Sequence, residues 1–223
     1  MPVTRRRDAS LLALALAVLA YAAGLALDLP TLRLAAKPLP ALALAWWTAG
    51  APGAALVTTG LVFSAVGDLT LDLGTEPAFF LAGMAAFAVA HAAYVAAFLA
   101  HTRRPRLLAL LPFLLWGVVL LRMVGAGLGP LVAPVCAYAV LLVAMMWRAT
   151  AASLETGRWV AAAGAVLFGL SDSLIALDRF HAPVPGARWL IMALYWTGQL
   201  GIARSALEAS PERILSESPT EER

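Results

Sequence analysis

What most constrains this chain is the length of its uncharged stretches. Eight apolar runs follow one another with short polar joints between them: Ser10 to Leu27, Leu34 to Trp47, Gly53 to Leu73, Ala78 to Ala100, Leu107 to Leu121, Leu131 to Trp147, Trp159 to Leu177 and Trp189 to Ile202. Lipid offers no water to backbone N–H and C=O groups, so such runs must close their hydrogen bonds internally, as helices or as a sealed barrel. The alternation of period two that marks a membrane barrel is absent, and Leu and Ala, both strong helix formers, dominate. Only 13% of the 223 residues are charged, about half the share of a soluble domain. The expected fold is an all-α polytopic membrane bundle of about eight transmembrane helices. Residues 1–204 would form a single transmembrane domain. Residues 205–223 would be a polar tail, disordered beyond a first helical turn.

The few charges set the orientation. Arg5, Arg6 and Arg7 precede the first run, Arg103, Arg104 and Arg106 separate the fourth from the fifth, and Arg148 and Arg158 flank the joint between the sixth and seventh. An eight-span count puts all three groups on one side, which the positive-inside rule makes the cytoplasm. Both termini then lie inside, and the joint holding Asp72 and Glu76 lies outside with Arg122. Arg33 and Lys37 fall on the outer side, against the trend. The N-terminus has the outline of a signal peptide, with Ala20-Tyr21-Ala22 as a cleavage site. The apolar run continues past that site to Leu27, which favours a retained span. An arginine-rich, alanine-rich composition suits a bacterial inner membrane. The net charge of +3 is dispersed beside spans and carries no nucleic-acid surface. Cys136, the single cysteine, reads as a small packing residue, so no intrachain disulfide can form.

Ionisable groups inside spans are expensive and point to function. Asp68 and Asp172 stand at matching depths of the third and seventh runs. Asp72 is one turn beyond Asp68 on the same face, and Asp178 is near the end of its run. In the eight-span topology all four lie in the outer half of the membrane. Lys37, the only lysine among sixteen basic residues, begins the second run beside Pro38, on that same side. Its compact ammonium suits a carboxylate or a phosphate. Tyr195 and Gln199 share a face of the eighth run and can hydrogen-bond a polar ligand or act as interhelical glue. His91 and Tyr94, in the fourth run, read first as helix-contact residues. Ser64, Ser171 and Ser173 read as partners of the adjacent aspartates. The three histidines lack zinc spacing, and no nucleophile elbow appears. Gly60 and Gly164 each lie eight residues before an aspartate, an offset of four spans. A duplicated four-helix unit and chance both account for it.

Lys37-Pro38-Leu39-Pro40, Phe63-Ser64-x-x-Gly67-Asp68, Ser171-Asp172 and Tyr195-x-x-x-Gln199, in this order and spacing, resemble the YhhN/TMEM86 family of eight-span membrane proteins, which includes lysoplasmalogenases. The resemblance covers nearly the whole chain except the N-terminal arginines and the polar tail. It implies hydrolysis of the vinyl ether bond of lysoplasmalogen, a lysophospholipid drawn from the bilayer, to a fatty aldehyde and glycerophosphoethanolamine or glycerophosphocholine. It also implies paired catalytic aspartates, which match Asp68 and Asp172. Vinyl ether cleavage starts with protonation of carbon and passes through an oxocarbenium ion, as glycoside hydrolysis does with two carboxyls. Two carboxyls in a dry site can divide the work, one protonated and one ionised. Lys37 would hold the headgroup phosphate with Asp72 and Ser171 nearby, and Tyr195 and Gln199 would position water or the ether oxygen. No cofactor is required. Intramembrane carboxylates equally suit a small proton- or ion-coupled transporter, or a scaffold in which polar groups lock helices together.

Overall fold

In a computed structural model, residues 3–208 are described. They form nine α-helices: α1 (Val3–Ala26), α2 (Pro30–Ala36), α3 (Leu39–Thr48), α4 (Ala55–Asp72), α5 (Pro77–His101), α6 (Leu111–Leu128), α7 (Val132–Thr156), α8 (Val160–Phe180) and α9 (Ala187–Glu208), with 3-10 turns at Leu107–Leu110 and Gly129–Leu131. Six stretches are long and apolar enough to cross a membrane: α1, α4, α5, α8, and α6 and α7 with their leading turns. The chain is an all-α polytopic membrane bundle. The two remaining expected crossings are α9, which spans 22 residues but carries Arg188, Arg204 and Glu208, and the pair α2–α3.

That pair departs from the expected single run from Leu34 to Trp47. α2 ends at Ala36 and α3 begins at Leu39, with Lys37 and Pro38 between them. Pro38 and Pro40 lack N–H groups and tolerate only the first turn of a helix, so the proline pair starts a new helix instead of extending the old one. Other boundaries also move. α7 runs nine residues past Trp147, so Arg148 is a buried helix residue, not part of a joint. Its guanidinium donates to the carbonyls of Thr102 and Arg104 just past α5, satisfying acceptors that a helix end leaves open. α1 passes unbroken through Ala20-Tyr21-Ala22, and Tyr21 is buried edge-on against Trp196 of α9, with ring centroids 5.1 Å apart. α9 continues to Glu208, one helical turn into the stretch expected as a polar tail. Residues 209–223, where the disordered tail is expected, lie outside the described residues.

The core is built from two helical hairpins, α4–α5 and α8–α9. In each, glycine makes room at the seam, for an aromatic ring in α4–α5 and for the facing backbone in α8–α9. A Cβ at Gly60 would enter the ring of Tyr94, and a Cβ at Gly164 would lie 2.7 Å from the carbonyl oxygen of Gly198. Such small-residue seams drive helix association where lipid removes the hydrophobic incentive. α6 lies at the periphery and buries only Val124 and Leu128, while Leu108, Leu115 and Val118 face outward. Gly164→Leu should therefore cost about 2–3 kcal/mol or abolish a monodisperse peak in detergent. Gly125→Leu, on α6 with no atom within 4 Å of the added Cβ, should leave thermal unfolding unchanged.

Candidate active site

The break between α2 and α3 leaves Lys37 at one end of the bundle, beside the C-terminal end of α4. Its Nζ donates to Asp72 Oδ1 at 2.8 Å, and the residue is 8% exposed. The pair borders a cavity of about 200 Å³ that also takes in Tyr21, Asp178 and Arg188. Charges of both signs therefore line one recess. Asp178 braces its rim by accepting the backbone N–H of Val184 at 2.8 Å, and Arg179 lies 4.1 Å from the ring of Phe80.

Leu71, Phe80 and Ile175 form a shared wall between this cavity and a narrower apolar pocket of about 70 Å³, which reaches Tyr138 and Asp172. The Asp172 side chain is 10% exposed. Its Oδ2 accepts the Tyr138 hydroxyl at 2.5 Å, and His91 Nε2 lies 3.7 Å from the same oxygen. The other imidazole nitrogen, Nδ1, is 2.6 Å from the carbonyl oxygen of Phe87. A carbonyl only accepts, so Nδ1 carries a proton, and in the neutral ring Nε2 turns a lone pair toward the carboxyl.

Asp68 lies deeper, 2% exposed, and its Oδ2 accepts the Tyr195 hydroxyl at 2.8 Å. Lys37, Asp72 and Asp172 are all close enough to act on its charge. Between the carboxyls stands an aromatic cluster. Phe87 and Phe168 pack on Tyr195 with centroids 5.9 and 5.1 Å away, and Phe168 stacks on His91 at 4.8 Å. Below it, Tyr94 donates to Gln199 Oε1 at 2.7 Å, with Ser64 Oγ 3.4 Å from the Tyr94 oxygen.

The expected residues thus fall into three places. Lys37 and Asp72 meet at the mouth, Asp172 lines the inner pocket, and Asp68, Tyr195 and Gln199 lie in the buried core. The serines do not partner the aspartates. Ser64 lies against the Tyr94 hydroxyl, Ser171 donates across to the carbonyl of Ile191 on α9 at 3.0 Å, and Ser173 donates to that of Gly169 at 2.7 Å, the back-bond to the preceding turn that a helical hydroxyl readily makes. His91 proves more than a helix contact, since it faces Asp172. Tyr138, Tyr21 and Arg188 were not foreseen. Tyr138 sits in an apolar run with no polar neighbour in sequence, and Arg188 reads as an ordinary end-of-span arginine. Among the described residues no three His, Cys, Asp or Glu side chains converge in a group that could hold a metal.

Residues 32–206 match the model of the YhhN family. The chain is 43% identical over 178 residues to human "Lysoplasmalogenase TMEM86B", covering 78% of this chain and 74% of that protein. It is 38% identical over 167 residues to bovine "Lysoplasmalogenase TMEM86A", covering 71% and 68%. A protein of Mycobacterium bovis named "Lysoplasmalogenase" is 34% identical over 144 residues, 61% of this chain and 53% of that one. No solved structure matches. With a family model spanning most of its length and relatives this similar over more than two thirds of it, the chain belongs to the YhhN family.

Proposed function

We propose that this protein is a lysoplasmalogenase. It would cleave the vinyl ether bond of lysoplasmalogen to a fatty aldehyde and glycerophosphoethanolamine or glycerophosphocholine. The observation that carries the reading is the adjacency of two unlike compartments, a recess with charges of both signs and an apolar pocket ending at a carboxyl. A zwitterionic headgroup has a phosphate for Lys37 and Arg188 and an amine for Asp72 and Asp178. Its ether-linked chain is apolar, and the vinyl ether end of that chain would enter the inner pocket. The names of the relatives point to the same chemistry.

Asp172 is the acid in this scheme, because it is the aspartate that lines the pocket. It gives its proton to the outer vinyl carbon: the O–H bond breaks, a C–H bond forms, and the ether oxygen stabilises the resulting cation. Water adds to the oxocarbenium carbon and returns a proton to the carboxylate. The hemiacetal then collapses, its hydroxyl proton going to the departing glycerol oxygen. Asp68 stays behind the aromatic cluster, where it orients the Tyr195 hydroxyl. Purified protein should release fatty aldehyde from lysoplasmenylethanolamine. Asp172→Asn should lose about 10²–10⁴-fold in kcat, the usual worth of a positioned acid, and Asp68→Asn should fall substantially while still binding substrate. Full activity in either folded variant would remove that residue from the mechanism. If folded wild-type protein releases no aldehyde with either headgroup, the reading fails, and proteoliposome proton flux becomes the next measurement.

Arg188→Gln tests the headgroup recess. Losing one exposed charge contact to phosphate, up to about 1 kcal/mol, should raise KM severalfold and leave kcat within a factor of two or three.

The bundle is proposed to cross the bacterial plasma membrane eight times, with α2–α3 and α9 as the second and eighth crossings and both termini inside. Single cysteines at Glu76 and Ala182, in a Cys136→Ser background, should react with an impermeant maleimide on intact spheroplasts. A cysteine at Arg103 should react only after lysis.

A further inference from the structure

The interval that separates Asp68 from Asp172 is 104 residues, and it recurs across the packing of the core. Gly60 abuts Tyr94, and Gly164 abuts Gly198; each member of the second pair is 104 positions beyond its counterpart. Gly67 abuts the ring of Phe87, while Ser171, its counterpart, donates to the carbonyl of Ile191, the counterpart of Phe87. The helices repeat the same order of packing. α3 lies on α4 and α4 on α5, as α7 lies on α8 and α8 on α9. Across the halves, α5 packs on α7 as α9 packs on α3.

The aspartates take part in this repeat with their partners exchanged. Tyr195, on α9, donates to Asp68 on α4. The counterpart of Tyr195 is His91 on α5, and it faces Asp172 on α8. Each carboxyl is thus met by the same helix position of the opposite half. The polarity of the two meetings is opposite. A phenol O–H donates, which suits a carboxylate. His91 has committed its Nδ1 proton to Phe87, so its Nε2 offers a lone pair, which suits a carboxyl that carries a proton. Nε2 has no hydrogen-bond partner at hydrogen-bonding distance and is fully buried. The other ionisable groups near Asp172 are Tyr138 of α7, which donates to Oδ2, and Asp68 of α4.

We infer that His91 is a positioning residue for Asp172, the counterpart of Tyr195 at Asp68, in a bundle built from a doubled four-span unit. At this matched position the two halves differ: Asp68 meets the Tyr195 hydroxyl as a donor, whereas Asp172 faces the lone pair of His91 Nε2 beside the hydroxyl that Tyr138 donates. In this role His91 Nε2 turns its lone pair toward the Asp172 carboxyl before transfer, and the carboxylate itself takes a proton back from the water that adds. The assignment of a proton-donating role to Asp172 rests on the lysoplasmalogenase reading; the His91–Asp172 contact does not.

His91→Phe keeps an aromatic ring against Phe168 and removes Nε2, and His91→Gln keeps a polar group that cannot serve as the same acceptor in the same ring geometry. In variants that stay monodisperse and unfold at the wild-type temperature, aldehyde release should show kcat lowered about 100-fold with KM within a factor of two. The second readout needs no substrate. The infrared band of the protonated carboxyl that Asp172→Asn removes should shift in both His91 variants, whereas Asp68→Asn leaves it in place. An unshifted band, or wild-type kcat in a folded variant, overturns the inference. Wild-type protein that releases no aldehyde but shows the band and its shift refutes the lysoplasmalogenase reading and leaves the His91–Asp172 contact standing.

Discussion

Everything near the candidate site depends on holding carboxyls where lipid would exclude them. An isolated charge or an unpaired polar group in an apolar interior costs several kcal/mol, and the fold meets that cost with phenols. Tyr195 reaches across from α9 to Asp68, and Tyr138 reaches from α7 to Asp172. Each bond ties two helices, so the polar groups that make chemistry feasible also fix how the helices stand. The glycine seams of α4–α5 and α8–α9 serve the same end. They close each hairpin on itself, and the phenol–carboxyl bonds then tie α9 to α4 and α7 to α8.

The mouth of the site follows from a different constraint. Pro38 and Pro40, just after Lys37, cannot continue a helix, so α2 gives way to α3 there and an ammonium is left where α4 ends. Lys37 and Asp72 then neutralise one another in part, with Arg188, Asp178 and Tyr21 around the same recess. A surface holding both signs of charge is matched to a zwitterion more than to a simple anion, and this, with the apolar pocket beyond the shared wall, is why a lysophospholipid fits better than an ion.

Much of this was readable in the residues. Long uncharged runs dictate helices, and each intramembrane aspartate announces itself by its cost, as does a solitary lysine among arginines. Helix ends were less legible. Arg148 resembles a joint residue by charge, yet it is buried because the α5–α6 connection folds back to offer it carbonyls. The serines beside the aspartates misled because neighbours in sequence point to different faces of a helix. Tyr138 and the pairing of His91 with Asp172 arise from packing between helices distant in sequence, and a single span shows no trace of either. The recurrence of Gly and Asp at one interval was visible early; only the matched contacts distinguish it from coincidence.

The break between α2 and α3 has a bearing on how the products of the proposed reaction would separate. α3 has ten residues and so rises about 15 Å, half of a hydrocarbon core of about 30 Å. With α2–α3 as the proposed second crossing, the charged recess above it would be a vestibule sunk into one leaflet, with the aromatic cluster beyond it. Water would arrive, and a cut headgroup would depart, through that vestibule, while an aldehyde would drain sideways into the lipid. Two products leaving into two phases would not readily meet again at the site, and hydrolysis would run forward without a gate or a lid.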